Sequence, residues 1–377
     1  MKILVLGGDG FCGWPLSLHL SKNHEVTIAD NFSRREIDAE LGTNSLTPIT
    51  ELPVRLKQWE IVSGIKINFN EAQLLDYSAV ENLFKVVRPD AIVHLAELRS
   101  APYSMLSSEH RRKTVHHNVT VTQNILEAML ATDNQAHLVH VGTMGVYGYQ
   151  STEEIPEGYV GSDARRGLFP HDPGSIYHVS KGLDHSLLQY YQKNWEVRVT
   201  ELHQGIIWGT QTSETLLHPK LYNRYDYDGE FGTVVNRFVS QAVSEVPLTV
   251  YGDGSQSRAF LSLRDSIRCI TWAIENHPGA IKSVRVFNQF REILTLNRIA
   301  EMIGEVIPVK IDYLPNPRSE ILRNKYRSLS TIVDAANAVD VFTPQEIEIL
   351  VAFARNFTDR FEVKVIPSKA KWRNSGR

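Results

Sequence analysis

Three side chains near the middle of the chain are of the types that oxidise an alcohol: Thr143, Tyr177 and Lys181. Tyr177 and Lys181 are four apart within Ser-Ile-Tyr-His-Val-Ser-Lys, which puts both on one face of a helix. Thr143 ends the run His-Leu-Val-His-Val-Gly-Thr (137–143), whose Leu138, Val139 and Val141 read as a short buried strand. An ammonium beside a phenol lowers the phenol pKa, so a tyrosinate could take a hydroxyl proton while hydride leaves to a cofactor. Taken alone, Tyr-x-x-x-Lys is a weak pattern, because a packed tyrosine and a surface lysine produce it by chance. Its place in the chain decides its meaning.

The elements that must position this group begin at the first residues. An apolar strand over 2–8 flows into Gly7-Gly8-Asp9-Gly10-Phe11-Cys12-Gly13, and a helix is expected over 14–22. Glycines at 7, 10 and 13 form a dinucleotide-binding turn: the first allows the tight turn, the second close approach to a pyrophosphate, the third helix–strand packing. A strand over 25–29 ends in Asp30, an acid placed to hydrogen-bond a ribose diol and so to favour NAD over NADP. Arg34 and Arg35 oppose that preference, since arginine is how a 2′-phosphate would be held. Residues 36–64 show little periodicity and are expected to be a long functional or interface loop. Strands follow over 65–69 and 91–96 with a helix over 77–87 between them, then a helix over 114–130 and strands over 137–143 and 198–202. Arg99, at the carboxyl end of the fourth strand, could clamp an anion there.

The expected fold is therefore α/β: a Rossmann doubly wound parallel sheet over 1–205, with segments returning from later in the chain. Residues 206–377 are expected to form a smaller α/β substrate lobe, with mixed elements over 231–243, 248–251, 264–276, 284–288 and 296–306, and a basic tail from Ser368. Composition bounds the function. The 377 residues are 42% hydrophobic with a net charge of −3, which gives no pull toward nucleic acid or an anionic membrane. Only two cysteines, Cys12 and Cys269, and the lack of a long apolar run point to a soluble cytoplasmic protein. The 14 histidines show no metal-ligand spacing; His137 and His140 face opposite ways on one strand, so no metal is expected. The Ser-Glu-His-Arg-Arg-Lys run (108–113) is expected to cap and solvate the following helix.

In this order of motifs the chain resembles the extended short-chain dehydrogenase/reductase family that acts on nucleotide sugars. Gly-Gly-Asp-Gly-Phe-Cys-Gly-Trp (7–14), Leu-Arg-Ser-Ala-Pro-Tyr-Ser-Met (98–105), Gly-Thr-Met-Gly-Val-Tyr-Gly (142–148), Tyr-His-Val-Ser-Lys (177–181), Asp-Tyr-Asp (226–228), Val-Phe-Asn-Gln-Phe (286–290) and Pro-Asn-Pro-Arg (315–318) are similar to the UDP-sulfoquinovose synthase family over nearly the whole chain. The resemblance implies bound NAD and conversion of UDP-glucose and sulfite to UDP-sulfoquinovose through a 4-keto-5-ene sugar. It implies that Tyr177 is the base at the 4-hydroxyl, that Lys181 holds the nicotinamide ribose and that Thr143 bonds the 4-oxygen. His178 and Met144 would line the C5–C6 side, and Arg99 would lie near the added sulfite. By the same resemblance Gly7, Gly10, Phe11, Cys12, Gly13, Asp30, Asn31, Arg34, Arg35, Leu74, Leu95, Asn118 and Gln204 would contact NAD. Gln204, Asn236, Tyr251, Gln256, Arg258 and Arg318 would contact the nucleotide sugar.

One departure bears on the chemistry: the family's glutamate inside Gly-Thr-Met-Gly-Val-Tyr-Gly is Val146 here, which can move no proton. A UDP-sugar 4-epimerase, a dehydratase and a non-catalytic NAD-sensing regulator stay open as alternatives. By the resemblance, the helices at 114–130 and 175–193 occupy positions where relatives form a four-helix dimer, which implies a homodimer.

Overall fold

The computed structural model describes residues 1–132, 135–148, 159–162, 165–168, 172–277, 279, 283–316 and 330–362. Its strands are β1 (Lys2–Leu6), β2 (Glu25–Asp30), β3 (Asn68–Glu71), β4 (Ala91–His94), β5 (His137–Thr143), β6 (Tyr159–Ser162), β7 (Arg165–Leu168), β8 (Arg198–Gln204), β9 (Ile206–Trp208), β10 (Leu248–Tyr251), β11 (Ser257–Ser262), β12 (Arg285–Gln289), β13 (Glu292–Thr295) and β14 (Ile311–Leu314). Helices are α1 (Gly13–Ser21), α2 (Ser33–Leu41), α3 (Leu52–Ser63), α4 (Tyr77–Val87), α5 (Ala101–Ser104), α6 (Ser108–Ala131), α7 (Ile176–Trp195), α8 (Val234–Val243), α9 (Leu263–Glu275), α10 (Leu296–Val306), α11 (Thr331–Ala335) and α12 (Pro344–Arg355).

A seven-stranded sheet runs in the order β12-β8-β5-β4-β1-β2-β3. Every pairing in it is parallel. This is the doubly wound Rossmann arrangement. Its apolar strands are buried on both faces: Trp14, Leu16, Ile267 and Ile270 of α1 and α9 cover one side, and Phe84, Ile125 and Leu188 of α4, α6 and α7 the other. Strand order reverses between β1 and β4, so the crevice for a ligand opens above their carboxyl ends. Segments after β8 build a separate core around Trp208, Phe238, Val250, Ile299 and Val351. β12 nonetheless returns to the main sheet beside β8.

Residues 36–64 are not a long loop; most of them lie in α2 and α3. The pattern hid α3 because its buried face carries Arg55 and Gln58 beside Leu52 and Trp59, while Val54, Ile61 and Val62 face solvent. Trp59 Nε1 donates to Ser21 Oγ at 3.0 Å, docking α3 on α1. The third strand lies slightly later than expected, at Asn68–Glu71, and the fourth ends at His94. The charged run 108–113 is the first part of α6 itself; its N-cap is Ser107, whose Oγ accepts from the His110 amide at 3.3 Å.

Candidate active site

The glycine turn forms because side chains do not fit it. Gly7 has φ +85°, and a Cβ there would stand 2.8 Å from the Leu95 carbonyl carbon. A Cβ on Gly13 would overlap the Gly7 carbonyl oxygen, so only glycine lets α1 start directly beneath the turn. Asn223, from the later part of the chain, donates to the Phe11 carbonyl at 2.8 Å and pins the turn from outside.

A cavity opens above this turn, lined by Gly7, Gly10, Phe11, Cys12, Gly13, Asp30, Asn31, Arg34, Leu74 and Leu95. Thr143, Tyr177, Lys181 and Gln204 lie at its inner end. Asp30 accepts from the backbone amides of Asp9 and Phe32, each at 2.8 Å, which fixes its carboxyl at the end of β2. Burial raises its pKa, opposed by these amide hydrogen bonds. Burial also pushes the Cys12 thiol up to about 11, so it stays a neutral thiol at the cavity wall.

The two arginines behave differently from the expectation. Arg35 does not line the cavity: its Nε and Nη2 bind both oxygens of Asp9 at 2.6 and 3.0 Å. Arg34 pairs with Asp38 and with Asp226, and its guanidinium stacks 3.6 Å from the Phe231 ring centroid. Arg35 is thereby held on Asp9 away from the cavity, while Arg34 pairs with carboxylates and still lines the cavity wall.

A second cavity adjoins the first, lined by Arg99, Thr143, Met144, Tyr177, His178 and Gln204 on the sheet side and by Tyr251, Gln256 and Arg258 on the lobe side. Arg99, Thr143, Tyr177 and Gln204 face both cavities. Arg99 is aimed by Asp226, 2.7 Å from its Nη2. His178 closes over Gly145, where a Cβ would collide with the imidazole ring.

Two expected contacts need correction. Asn118 does not line the cofactor cavity; its amide bonds the Leu98 N–H at 2.8 Å and Ser180 Oγ at 3.0 Å, locking the end of β4 to α7, and its neighbour His117 lines the wall instead. Asn236 does not line the second cavity; it is buried in α8, and the adjacent Arg237 does. Arg318 lies outside the described residues. Val146 is packed with Met144, Tyr147, Ala259 and Phe290 in an apolar cluster.

Helix α7 carries Tyr177 and Lys181 as expected, and Ser175 caps it, its Oγ accepting from the His178 amide at 3.2 Å. The electrostatics are less simple than a lysine acidifying a phenol. Burial raises the Tyr177 pKa and outweighs the lowering by Lys181. Part of the reason is Glu97, whose Oε1 lies 2.7 Å from Lys181 Nζ and offsets its charge. Lys181 also donates to the Val141 carbonyl at 2.6 Å.

Glu97 was invisible as a site residue from spacing. It belongs to the first of two groups of metal-ligating types: His94–Glu97–His140, from β4, the segment after it and β5, and His185–Glu201–His203, from α7 and β8. The histidine-spacing argument missed both, because each is completed by a residue distant in sequence, His140 for the 94–97 pair and His185 for the 201–203 pair. A metal cation on Glu97 would face the Lys181 ammonium already held there.

The chain matches the NAD dependent epimerase/dehydratase family over residues 3–288. It belongs to that family. The chain is 37% identical to the chloroplastic UDP-sulfoquinovose synthase of Spinacia oleracea, over 100% of this chain and 80% of the relative. It is 36% identical to UDP-sulfoquinovose synthase of Sulfolobus acidocaldarius, over 99% and 98% of the two chains. Among solved structures, UDP-glucose 4-epimerase of Thermotoga maritima with UDP-glucose superposes with a TM-score of 0.71 at 19% identity, covering 96% of this chain and 100% of that one. That likeness speaks for the fold. Among the described residues, no helix is long and apolar enough to cross a membrane.

Proposed function

We propose that this chain is an NAD-dependent nucleotide-sugar enzyme that makes UDP-sulfoquinovose from UDP-glucose and sulfite. The observation that carries the reading is the junction of the two cavities, where Thr143, Tyr177, Arg99 and Gln204 face both. The glycine turn at Gly7, Gly10 and Gly13, the Asp30 carboxyl and the apolar walls Leu74 and Leu95 fit a dinucleotide, with Lys181 at the nicotinamide ribose. The Asp30 carboxyl in the cavity wall and the pairing of Arg35 with Asp9 outside it favour NAD over NADP. Bound there, NAD supplies a reversible hydride acceptor.

Tyr177 takes the proton of the sugar 4-hydroxyl, and Thr143 holds the 4-oxygen in line. With C4 a ketone, the C5 proton is acidic, and loss of water across C5–C6 leaves an electron-poor alkene. Sulfite adds at C6 and C4 is reduced again. Arg99, aimed by Asp226 into the junction, attracts the sulfite anion. Arg237, Arg258, Tyr251 and Gln256 hold the nucleotide end in the lobe. His178 is the group placed to move the C5 or 6-hydroxyl proton in place of the buried Val146.

The test is incubation of the NAD-loaded protein with UDP-glucose, with and without sulfite, followed by mass analysis of the nucleotide sugar. A sulfonated product supports the synthase. Unchanged mass with inverted C4 supports the second reading, a 4-epimerase, which Val146 in place of an acid favours because epimerisation moves no C5 or 6-hydroxyl proton; loss of water alone supports a dehydratase. A homodimer through α6 and α7 belongs to the same proposal: Leu183, Tyr190 and Trp195 of α7 are 43%, 58% and 49% exposed.

A further inference from the structure

Behind Lys181, the carboxyl half of the sheet encloses a run of ionisable side chains that the reaction above leaves without a task. Glu97 Oε1, 2.7 Å from Lys181 Nζ, is also 2.9 Å from His140 Nε2 and 3.4 Å from His94 Nε2. On its other side the His140 ring places Nδ1 3.3 Å from Glu201 Oε1. Glu201 also pairs with His185, and the same Oε1 lies 3.3 Å from His203 Nε2. His203 Nδ1 stands 2.6 Å from the Tyr147 hydroxyl, which donates to Asn288 Oδ1 at 3.0 Å. These side chains come from elements spread along the chain, β4, β5, α7, β8 and β12 among them, and are almost wholly buried, so their charges act on one another with little screening by water.

The charges alternate along the run. Burial and Lys181 would lower the His140 pKa, yet Glu201 and Glu97 lift it to about 9, so it carries a proton at neutral pH. Burial raises the carboxyls of Glu97 and Glu201, but the neighbouring Lys181 and histidines outweigh it and hold both below the usual range. Asp184, one turn after Lys181 on α7, is pushed up to about 8 by burial and by Glu97, which favours its neutral form. The order is thus ammonium, carboxylate, imidazolium, carboxylate. An alternating chain of this kind fixes each member only while its neighbours stay charged.

We propose that Glu97 is a positioning residue for the reaction: backed by His140 and Glu201, its carboxylate holds the Lys181 ammonium against the end of β5 and thereby governs how readily the Tyr177 phenol gives up its proton. The inference rests on Tyr177 being the base named above. Its physical content is that the lysine is shared. A carboxylate 2.7 Å from Nζ cancels part of the field that Lys181 would exert on the phenol, and in exchange keeps the lysine charged and in one place. Ionisable groups face this pair from every packed element: His94 on β4, Arg99 beyond it, His117 on α6, His140 on β5, and Tyr177 and Asp184 on α7. Among the nearby groups charged at neutral pH, Glu97 carries the negative charge that touches Lys181 directly.

Removing that charge while keeping the shape gives a signed expectation. In Glu97→Gln the ammonium is less neutralised, the tyrosinate is favoured, and Tyr177 titrates about one pH unit lower, a tenfold change in the ratio of its two forms. Glu97→Asp keeps the charge and leaves the midpoint near that of the wild type. Glu201→Gln, one link further back, shifts it the same way by less. The probe is the near-ultraviolet tyrosinate absorbance of the NAD-loaded protein titrated with pH, with the same titration of Tyr177→Phe subtracted to isolate one phenol. If Glu97→Gln fails to fold, the comparison of Glu201→Gln with the wild type decides in its place. Coincident midpoints in every variant that folds overturn the proposal. The titration uses no sugar, so a protein that leaves UDP-glucose unchanged refutes the function proposed above without altering this result. Where UDP-glucose is oxidised, the acid limb of NADH formation in a single turnover moves with the midpoint.

Discussion

Asp226 offers the sharpest test of how the two halves of the site are held together. Its side chain is 4% exposed and meets three guanidiniums: Arg99 at 2.7 Å, Arg34 at 3.3 Å and Arg224 at 3.5 Å. Asp38 shares Arg34 and Arg224. Asp226→Asn keeps the shape, leaves Arg34 and Arg224 to share Asp38, and takes from Arg99 its carboxylate in this cluster. Removing one partner of a buried ion pair costs about 3–5 kcal/mol. Arg99 is 36% exposed and can rehydrate, and the other two keep Asp38, so the expected loss lies at the lower end, about 3 kcal/mol. Urea unfolding of the two proteins at neutral pH measures it.

The pH dependence supplies the sign. Burial raises the Asp226 carboxyl, but Arg34, Arg224 and Arg99 outweigh it and leave the folded pKa below the ordinary value. A depressed carboxyl contributes stability that is present above the unfolded pKa, about 3.9, and lost as pH falls through the lower folded value. The gap between wild type and Asp226→Asn is therefore constant from neutral pH down to about 5 and closes below about 4. A gap under about 1 kcal/mol at neutral pH, or one that widens in acid, would refute the reasoning.

Three further outcomes follow from the same geometry. Tyr177→Phe is expected to lower C4 oxidation by about 10²–10⁴-fold while leaving NAD binding and the melting temperature intact, read by single-turnover absorbance and by thermal shift with added NAD. Gly13→Ala places a methyl against the Gly7 carbonyl oxygen, so thermal melts should show a loss of about 1–3 kcal/mol and a smaller stabilisation by NAD. His140 is raised from 6.5 to about 9, and its contribution is fully present below 6.5 and lost as pH rises through 9. Wild-type stability should therefore fall across that window more steeply than that of His140→Gln, measured by chemical unfolding at stepped pH; parallel curves would contradict an imidazolium held between two carboxylates.

The parts of this protein that follow from neighbours in the chain were readable without a structure. Gly7, Gly10 and Gly13 declare a dinucleotide turn because each requirement is local: a positive φ, a close backbone, a helix start. Tyr177 and Lys181 share a helix face through their spacing alone, and the apolar strands with their intervening helices dictate a doubly wound sheet. What the chain's pattern concealed were features in which polar residues do the packing. Helix α3 buries Arg55 and Gln58, and Asn118 serves the β4–α7 joint rather than the cavity. Only the tertiary structure decided what surrounds Lys181. Glu97, His140 and the β8 pair Glu201 and His203 come from separate segments with no spacing rule linking them, and they meet because parallel strands bring their carboxyl ends side by side. Tertiary structure also turned Arg35 from a candidate phosphate ligand into a partner of Asp9, and set Arg34 between Asp38 and Asp226 at the cavity wall. A residue type states what chemistry is available, but burial and the nearest opposite charge determine which of it is used.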